Sequence, residues 1–405
     1  MQNKLFAKSA CIKGLDLQSL TGVSSCKVEF VTAQTLLTII MSPLLLLFSV
    51  LFSTTAELAY GAVSPTRINN DGRTFAPGEI IWQDEFDYLD RSKWSNEINF
   101  NGGGNGEFQI YDDYGENAYV RDGILYMRPT LSVETVFGGD TEKLYNGNLT
   151  LEGCTDENGC TRQANYPNIN QPAVSQRLRT KGAFSFRYGH IVVRARMPSG
   201  DWTWPAIWML PEDWKYGSWP ASGEIDIVES RGNRNLVDPN GVNIGSEQMG
   251  STLHYGPRWP YNGQWAAHGQ TNTAANQGFD RDFHIYEVIW NTDMIQFIVD
   301  GTVTKTVQPP AGGFFELGQF PGNEISNPWV NGTNPKMAPF DENFHFILNV
   351  AVGGAYFPND STPPPPWKGS SSPFLSFFEN RSAWFPTWSA ENAAMAVDYI
   401  RVYAA

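Results

Sequence analysis

Gly223-Glu224-Ile225-Asp226-Ile227-Val228-Glu229 sets three carboxylates among aliphatic side chains. Glu224 and Asp226 alternate with Ile225 and Ile227 at a period of two, which predicts a β-strand with one wet, acidic face and one dry core face. Adjacent carboxylates on one face repel and push a proton onto one of them, so an ordinary surface strand seldom stacks them. Glu229 lies five positions beyond Glu224 and would fall on the opposite face of an uninterrupted strand. One extra residue taken up as a β-bulge around Ile227-Val228 returns it to the face of Glu224 and Asp226, and such bulges are common beside active sites.

Glycoside hydrolysis with retention needs two carboxyl groups roughly 5 Å apart, one a nucleophile and one a proton donor. Glu224 and Glu229 are the candidate pair. Their Cα atoms stand farther apart than that, so the strand must curve and the side chains lean together. Asp226, between them, can hydrogen-bond Glu224 and share charge with it while Glu229 keeps a raised pKa. The plain alternative is a solvated acidic edge strand. The neighbours weigh against it: Asp201-Trp-Thr-Trp-Pro-Ala-Ile-Trp-Met-Leu-Pro211, then Trp214 and Trp219, supply indoles of the kind that stack on the apolar faces of sugar rings. Trp208, beside Ile207 and Met209, is assigned to the core.

The Trp-Pro-Ala-Ile-Trp segment followed by Gly-Glu-Ile-Asp-Ile-Val-Glu-Ser resembles glycoside hydrolase family sixteen, and the two residues between Asp226 and Glu229 resemble its bulged laminarinase and agarase branch. Further matching segments are Trp82-Gln-Asp-Glu-Phe86, Gly104-Asn-Gly-Glu-Phe-Gln109, Phe184-Ser-Phe-Arg-Tyr-Gly189, Leu253-His-Tyr-Gly256, Val299-Asp-Gly301, Leu348-Asn-Val-Ala-Val-Gly-Gly354 and Val397-Asp-Tyr-Ile-Arg-Val-Tyr403. The resemblance implies an all-β, two-sheet β-jelly-roll sandwich with an open concave substrate cleft, and a retaining endo-β-glucanase acting on β-1,3-linked glucan of the laminarin type. By the same resemblance Trp204, Trp219 and His254 match cleft positions, and Asn105 and Glu107 a substrate-contacting loop. Glu85 and Asp398, with a carbonyl near Gly123, match a structural calcium site, although two carboxylates are a thin ligand set. No cofactor is required for the chemistry. The branch also resembles invertebrate proteins that recognise glucan without cleaving it, so a catalytically weak or inactive glucan-recognition protein, or activity on a related β-glucan or galactan, is the competing expectation.

Composition agrees with many short strands. Charged residues are only 17% of the 405 and aromatics 14%, with 38 Gly and 26 Pro, which suits strands joined by turns better than long amphipathic helices. A net charge of −14 repels nucleic acid and anionic membrane surfaces but not a neutral β-glucan polysaccharide. Phe184 to Arg196 is expected as a hairpin bent near Gly189, Tyr286 to Trp290 with Ile295 to Val299 as a second hairpin, Val397 to Val402 as a terminal strand, and Pro363 to Pro366 as a surface excursion. One catalytic domain, read as a monomer, is expected over residues 63–405.

Residues 1–62 read as a leader: Leu36 to Phe52 is nearly all apolar, and Ala59-Tyr-Gly61 offers an A-x-A-like cleavage site. Secretion is the expectation; an uncleaved anchor is the alternative, since about 17 apolar residues lie at the lower end of what spans a bilayer. The 35 residues ahead of the apolar run make Met41 a candidate initiator. Outside the leader's Cys11 and Cys26, only Cys154 and Cys160 remain; they are expected as a disulfide, two thiols with no nearby histidine being a poor zinc site. Acceptor sequons stand at Asn148, Asn331, Asn359 and Asn380.

Overall fold

Alternation of apolar and polar residues makes each strand two-faced, and two such sheets bury their apolar faces on each other. The computed structural model describes residues 63–405, Asn70 and Asn323 excepted, and they belong to one compact unit. The leader, with Cys11, Cys26, Met41 and the cleavage site, lies outside the described residues. The nine-stranded sheet contains β1 (Thr203–Pro211), β2 (Glu224–Ser230), β3 (Gln248–His254) and β4 (Phe344–Val352), side by side in the order β4, β1, β2, β3 and all antiparallel. The opposing sheet has eight strands, built around Gly189–Arg196, His284–Trp290 and Met395–Tyr403. The fold is the expected β-jelly-roll sandwich.

The core between the sheets follows strand parity. Ile207 and Met209 of β1, Ile225, Ile227 and Val228 of β2, and Phe346, Leu348 and Val350 of β4 meet Val193, Val288, Trp290 and Val402 of the other sheet. The bulge lies where the acidic motif requires it. Val228 is paired with Ile207 and Asp226 with Trp208, so Ile227 has no partner on β1; on β3, Asp226 faces Thr252 and Glu229 faces Gly250. Ile227 and Val228 are both buried, which anchors the extra residue on the core side and turns Glu229 outward.

Two local expectations change. Phe184 to Arg196 is not a hairpin: Phe186–Arg187 pairs with Arg67–Ile68 in the nine-stranded sheet, whereas Gly189–Arg196 lies in the other sheet. The chain crosses between sheets at Tyr188, whose φ of 60° turns it, and Gly189 fits because an added Cβ would stand 2.9 Å from the Tyr403 carbonyl oxygen. Trp208 is not in the core. It shares parity with Trp204, is half-buried on the outer face, and donates from Nε1 to Asn349 Oδ1 at 2.8 Å. The second hairpin forms, with Trp290 opposite Ile295, and Asn291 Oδ1 accepts the Asp293 and Met294 N–H groups in its turn.

A second hydrophobic core gathers Phe100, Phe108, Ile110, Leu144, Trp202, Phe357, Phe377, Trp384 and Trp388, and half-buried Trp367 just after the Pro363 to Pro366 excursion packs on it. Cys154 and Cys160 are joined by a disulfide with Cα atoms 5.6 Å apart. All four sequon asparagines are exposed. In this second core Trp384 stacks on Phe377 with ring centroids 4.1 Å apart and donates to the Phe377 carbonyl. Trp384→Ala is expected to lower unfolding free energy by about 3–5 kcal/mol in a urea titration, as for other buried aromatic truncations.

Candidate active site

The acidic face of β2 is fenced by indoles and an imidazole. Trp219, just ahead of the strand, donates from Nε1 to Glu224 Oε2 at 2.9 Å, and Trp204 of β1 donates from Nε1 to Glu229 Oε1 at 2.9 Å. His254, directly across from Glu224 at the end of β3, sets Nε2 at 3.2 Å from Asp226 Oδ2 and 4.0 Å from Glu224 Oε1. The Glu224 and His254 side chains are each 17% exposed and Asp226 only 4%, so solvent reaches the first two and barely the third. The structure thus brings together Glu224, Asp226, Glu229, Trp204, Trp219 and His254.

Burial raises all three acids above their ordinary values. For Glu224 and Asp226 the rise is large: each is desolvated, Asp226 adds its charge to Glu224, and Glu229 adds its own to both. Each of the two carboxyl groups therefore holds its proton more tightly than a free acid does. Glu229 is pushed up chiefly by burial, against the pull of His254, the Trp204 N–H and Arg231. An acid whose pKa is raised is suited to donate a proton, and a neighbouring carboxyl can help to keep another group ionised.

Glu107 is more enclosed than a loop acid. Only 3% exposed, it is held by Gln109 Nε2 at 2.7 Å and the Tyr111 hydroxyl at 3.3 Å, with Arg177 at 4.0 Å. Its charge contributes to the raised value of Glu229. Asn105 is exposed in the adjoining loop, its carbonyl accepting from Ala355 N–H at 2.9 Å. Sequence reasoning did not single out Tyr356, which stacks on Trp204 at 4.4 Å, or Arg231, which sits 4.0 Å over the Tyr356 ring and donates to its carbonyl. Arg231 is two positions past Glu229 and was the available signal; nothing local marks Tyr356.

The residues of the expected calcium site do not fit a cation. Glu85 accepts both Arg401 Nε at 2.7 Å and Nη2 at 2.8 Å, and Asp398 is paired with Arg194. Gly123 occupies a turn with φ of 73°. A calcium ion would have to displace two guanidinium groups, and no step below involves one.

The sequence matches Glycosyl hydrolases family 16 over residues 150–327. A protein of Penaeus monodon named beta-1,3-glucan-binding protein is 44% identical over 364 residues, covering 85% of this chain and 95% of its own length. The chain belongs to glycosyl hydrolase family 16. Beta-1,3-glucan-binding protein 1 of Galleria mellonella is 34% identical across 81% of this family 16 chain and 64% of its own, so the chain spans under two thirds of that relative. The laminarinase of Rhodothermus marinus is 28% identical in sequence and superimposes with a TM-score of 0.50, covering 80% of this chain and 97% of the other.

The raised acids make a prediction about stability. A carboxyl whose folded pKa lies above its unfolded value stabilises the fold fully below the ordinary value, here 4.5 for glutamate and 3.8 for aspartate, and that contribution is lost as pH rises through the folded value. Near neutrality the three acids therefore oppose folding. Glu224→Gln is expected to raise the melting temperature at pH 7, with the gain shrinking as pH falls through the acid range. Calorimetry across that range checks it; a gain independent of pH, or a loss at pH 7, contradicts the repulsion.

Proposed function

We propose that this family 16 protein is a retaining endo-β-1,3-glucanase that works by double displacement. The observation that carries the reading is the bulge in β2, which puts Glu229 on the face of Glu224 and Asp226 with an indole N–H on each glutamate. Glu224, oriented by Trp219 and relieved of its proton when that proton sits on Asp226, attacks the anomeric carbon. Glu229 protonates the departing glycosidic oxygen. Once the leaving sugar has gone, the Glu229 carboxylate takes a proton from water, which attacks the glycosyl-enzyme and releases Glu224. The chemistry needs no metal or cofactor from these residues. Trp204 has one face covered by Tyr356, which leaves the other for a sugar ring, and Trp219 stands beside exposed Trp259 with ring centroids 5.6 Å apart.

A second reading, a glucan-recognition protein with little or no turnover, is favoured by the names of the relatives from Penaeus monodon and Galleria mellonella. A binder has no use for two half-buried glutamates whose repulsion costs stability. The leader supports secretion, and among the described residues no helix is long and apolar enough to cross a membrane.

Glu224→Gln and Glu229→Gln are each expected to retain laminarin-oligosaccharide binding while losing about 10²-fold to 10⁴-fold or more in rate. Proton NMR of the first-formed product is expected to show the β-anomer. Wild-type-like turnover by either variant excludes the assignment; binding by wild-type protein without cleavage of any β-glucan makes recognition the better description.

A further inference from the structure

We infer that Asn262 is a positioning residue: it holds His254 in the tautomer whose proton is on Nε2, the ring nitrogen that lies nearest the Asp226 carboxyl group. Asn262 Nδ2 lies 2.8 Å from His254 Nδ1, and an amide nitrogen can only donate, so Nδ1 must accept. The orientation of an amide is ordinarily ambiguous because its oxygen and nitrogen look alike. Here a second hydrogen bond fixes it. Asn262 Oδ1 accepts the backbone N–H of Gln264 at 3.1 Å, and a flipped amide would set its NH₂ against that N–H and lose the bond. With Nδ1 accepting, the ring proton lies on Nε2, the atom 3.2 Å from Asp226 Oδ2 and 4.0 Å from Glu224 Oε1.

The loop that carries Asn262 is built to hold it there. Gly263 N–H donates to the carbonyl of Tyr255, the residue after His254, at 2.7 Å. A Cβ on Gly256 would lie 1.8 Å from the Tyr261 carbonyl oxygen, and one on Gly263 would lie 2.5 Å from the Tyr255 ring, so both turns close only with glycine. Asn262 thereby stays at fixed distance from an imidazole on the neighbouring strand although it is itself in a loop. The tautomer follows from this geometry alone; its effect on rate rests on the reading of the site as a glycosidase.

The test is ¹⁵N NMR of the imidazole nitrogens in the full protein, with His254 assigned from the signals lost in His254→Gln. The wild type is expected to show the proton on Nε2. Asn262→Asp replaces the donor with an acceptor while keeping an oxygen for the Gln264 N–H, and is expected to move a proton onto Nδ1; Asn262→Ala, which removes both bonds, is expected to give a mixed population. Turnover of laminarin is expected to fall about 10-fold to 100-fold in both, the scale of a misplaced catalytic group. A wild-type signal for Nδ1–H, or a tautomer unchanged in Asn262→Ala and Asn262→Asp, overturns the inference. If the tautomer moves as expected and laminarin is not cleaved even by wild type, the proposed hydrolysis fails and the positioning stands.

Discussion

Strand parity puts residues an odd number of positions apart on opposite faces of a sheet, and Glu224 and Glu229 are five apart. Everything chemical in this protein depends on that parity being broken once. Ile227 is the residue that breaks it, unpaired on β1 and packed into the core beside Val228. Burying two consecutive aliphatic side chains stabilises the bulge from below, and the same step turns Glu229 toward Trp204 rather than into the sandwich. Without the extra residue, Glu229 would be an unpaired buried acid in an apolar core, among the costliest placements available to a side chain.

The outer face is assembled under tension. Buried Asp226 and half-buried Glu224 and Glu229 hold their protons more tightly than in an unfolded chain, so folding works against their charge at neutral pH. What holds the two glutamates is a pair of indole N–H donors, from Trp204 and Trp219, while the imidazole of His254, braced by Asn262, lies 3.2 Å from Asp226. Trp204 is itself clamped by Tyr356, which Arg231 covers on its own account. The second hydrophobic core lies behind this clamp, with Phe357 and Trp202 as members and Tyr356 packed against it. Packing far from the carboxylates thus fixes the ring that orients one of them.

Much of this was legible in the sequence because it is local. The alternation of Glu224 to Ile227, the odd spacing to Glu229, and the indoles of residues 201–219 are read from neighbours along the chain, and the family resemblance extended them to His254. Trp208 was legible too, yet was misread: flanking Ile207 and Met209 are core residues, and for that reason Trp208 must face the other way. The hairpin expected at Phe184 to Arg196 failed because a single positive-φ residue, Tyr188, sends the chain to the other sheet. Glu85 and Asp398 looked like cation ligands only because their arginine partners cannot be read from adjacency: Arg401 comes from the far end of the chain and Arg194 from a neighbouring strand. Glu107 likewise reads as a loop acid until Gln109, Tyr111 and Arg177 are seen closing over it.

As the nucleophile, Glu224 would form an ester between its carboxylate oxygen and the anomeric carbon, and that bond can be caught directly. A laminaribiosyl fluoride carrying fluorine at the 2-position forms a glycosyl-enzyme that hydrolyses slowly, because the electronegative substituent disfavours the oxocarbenium-like transition state of both steps. Peptide mass spectrometry after incubation is predicted to find the sugar ester on Glu224 and nowhere else. An adduct on Asp226 or Glu229, or an unlabelled protein that still releases fluoride, would contradict it.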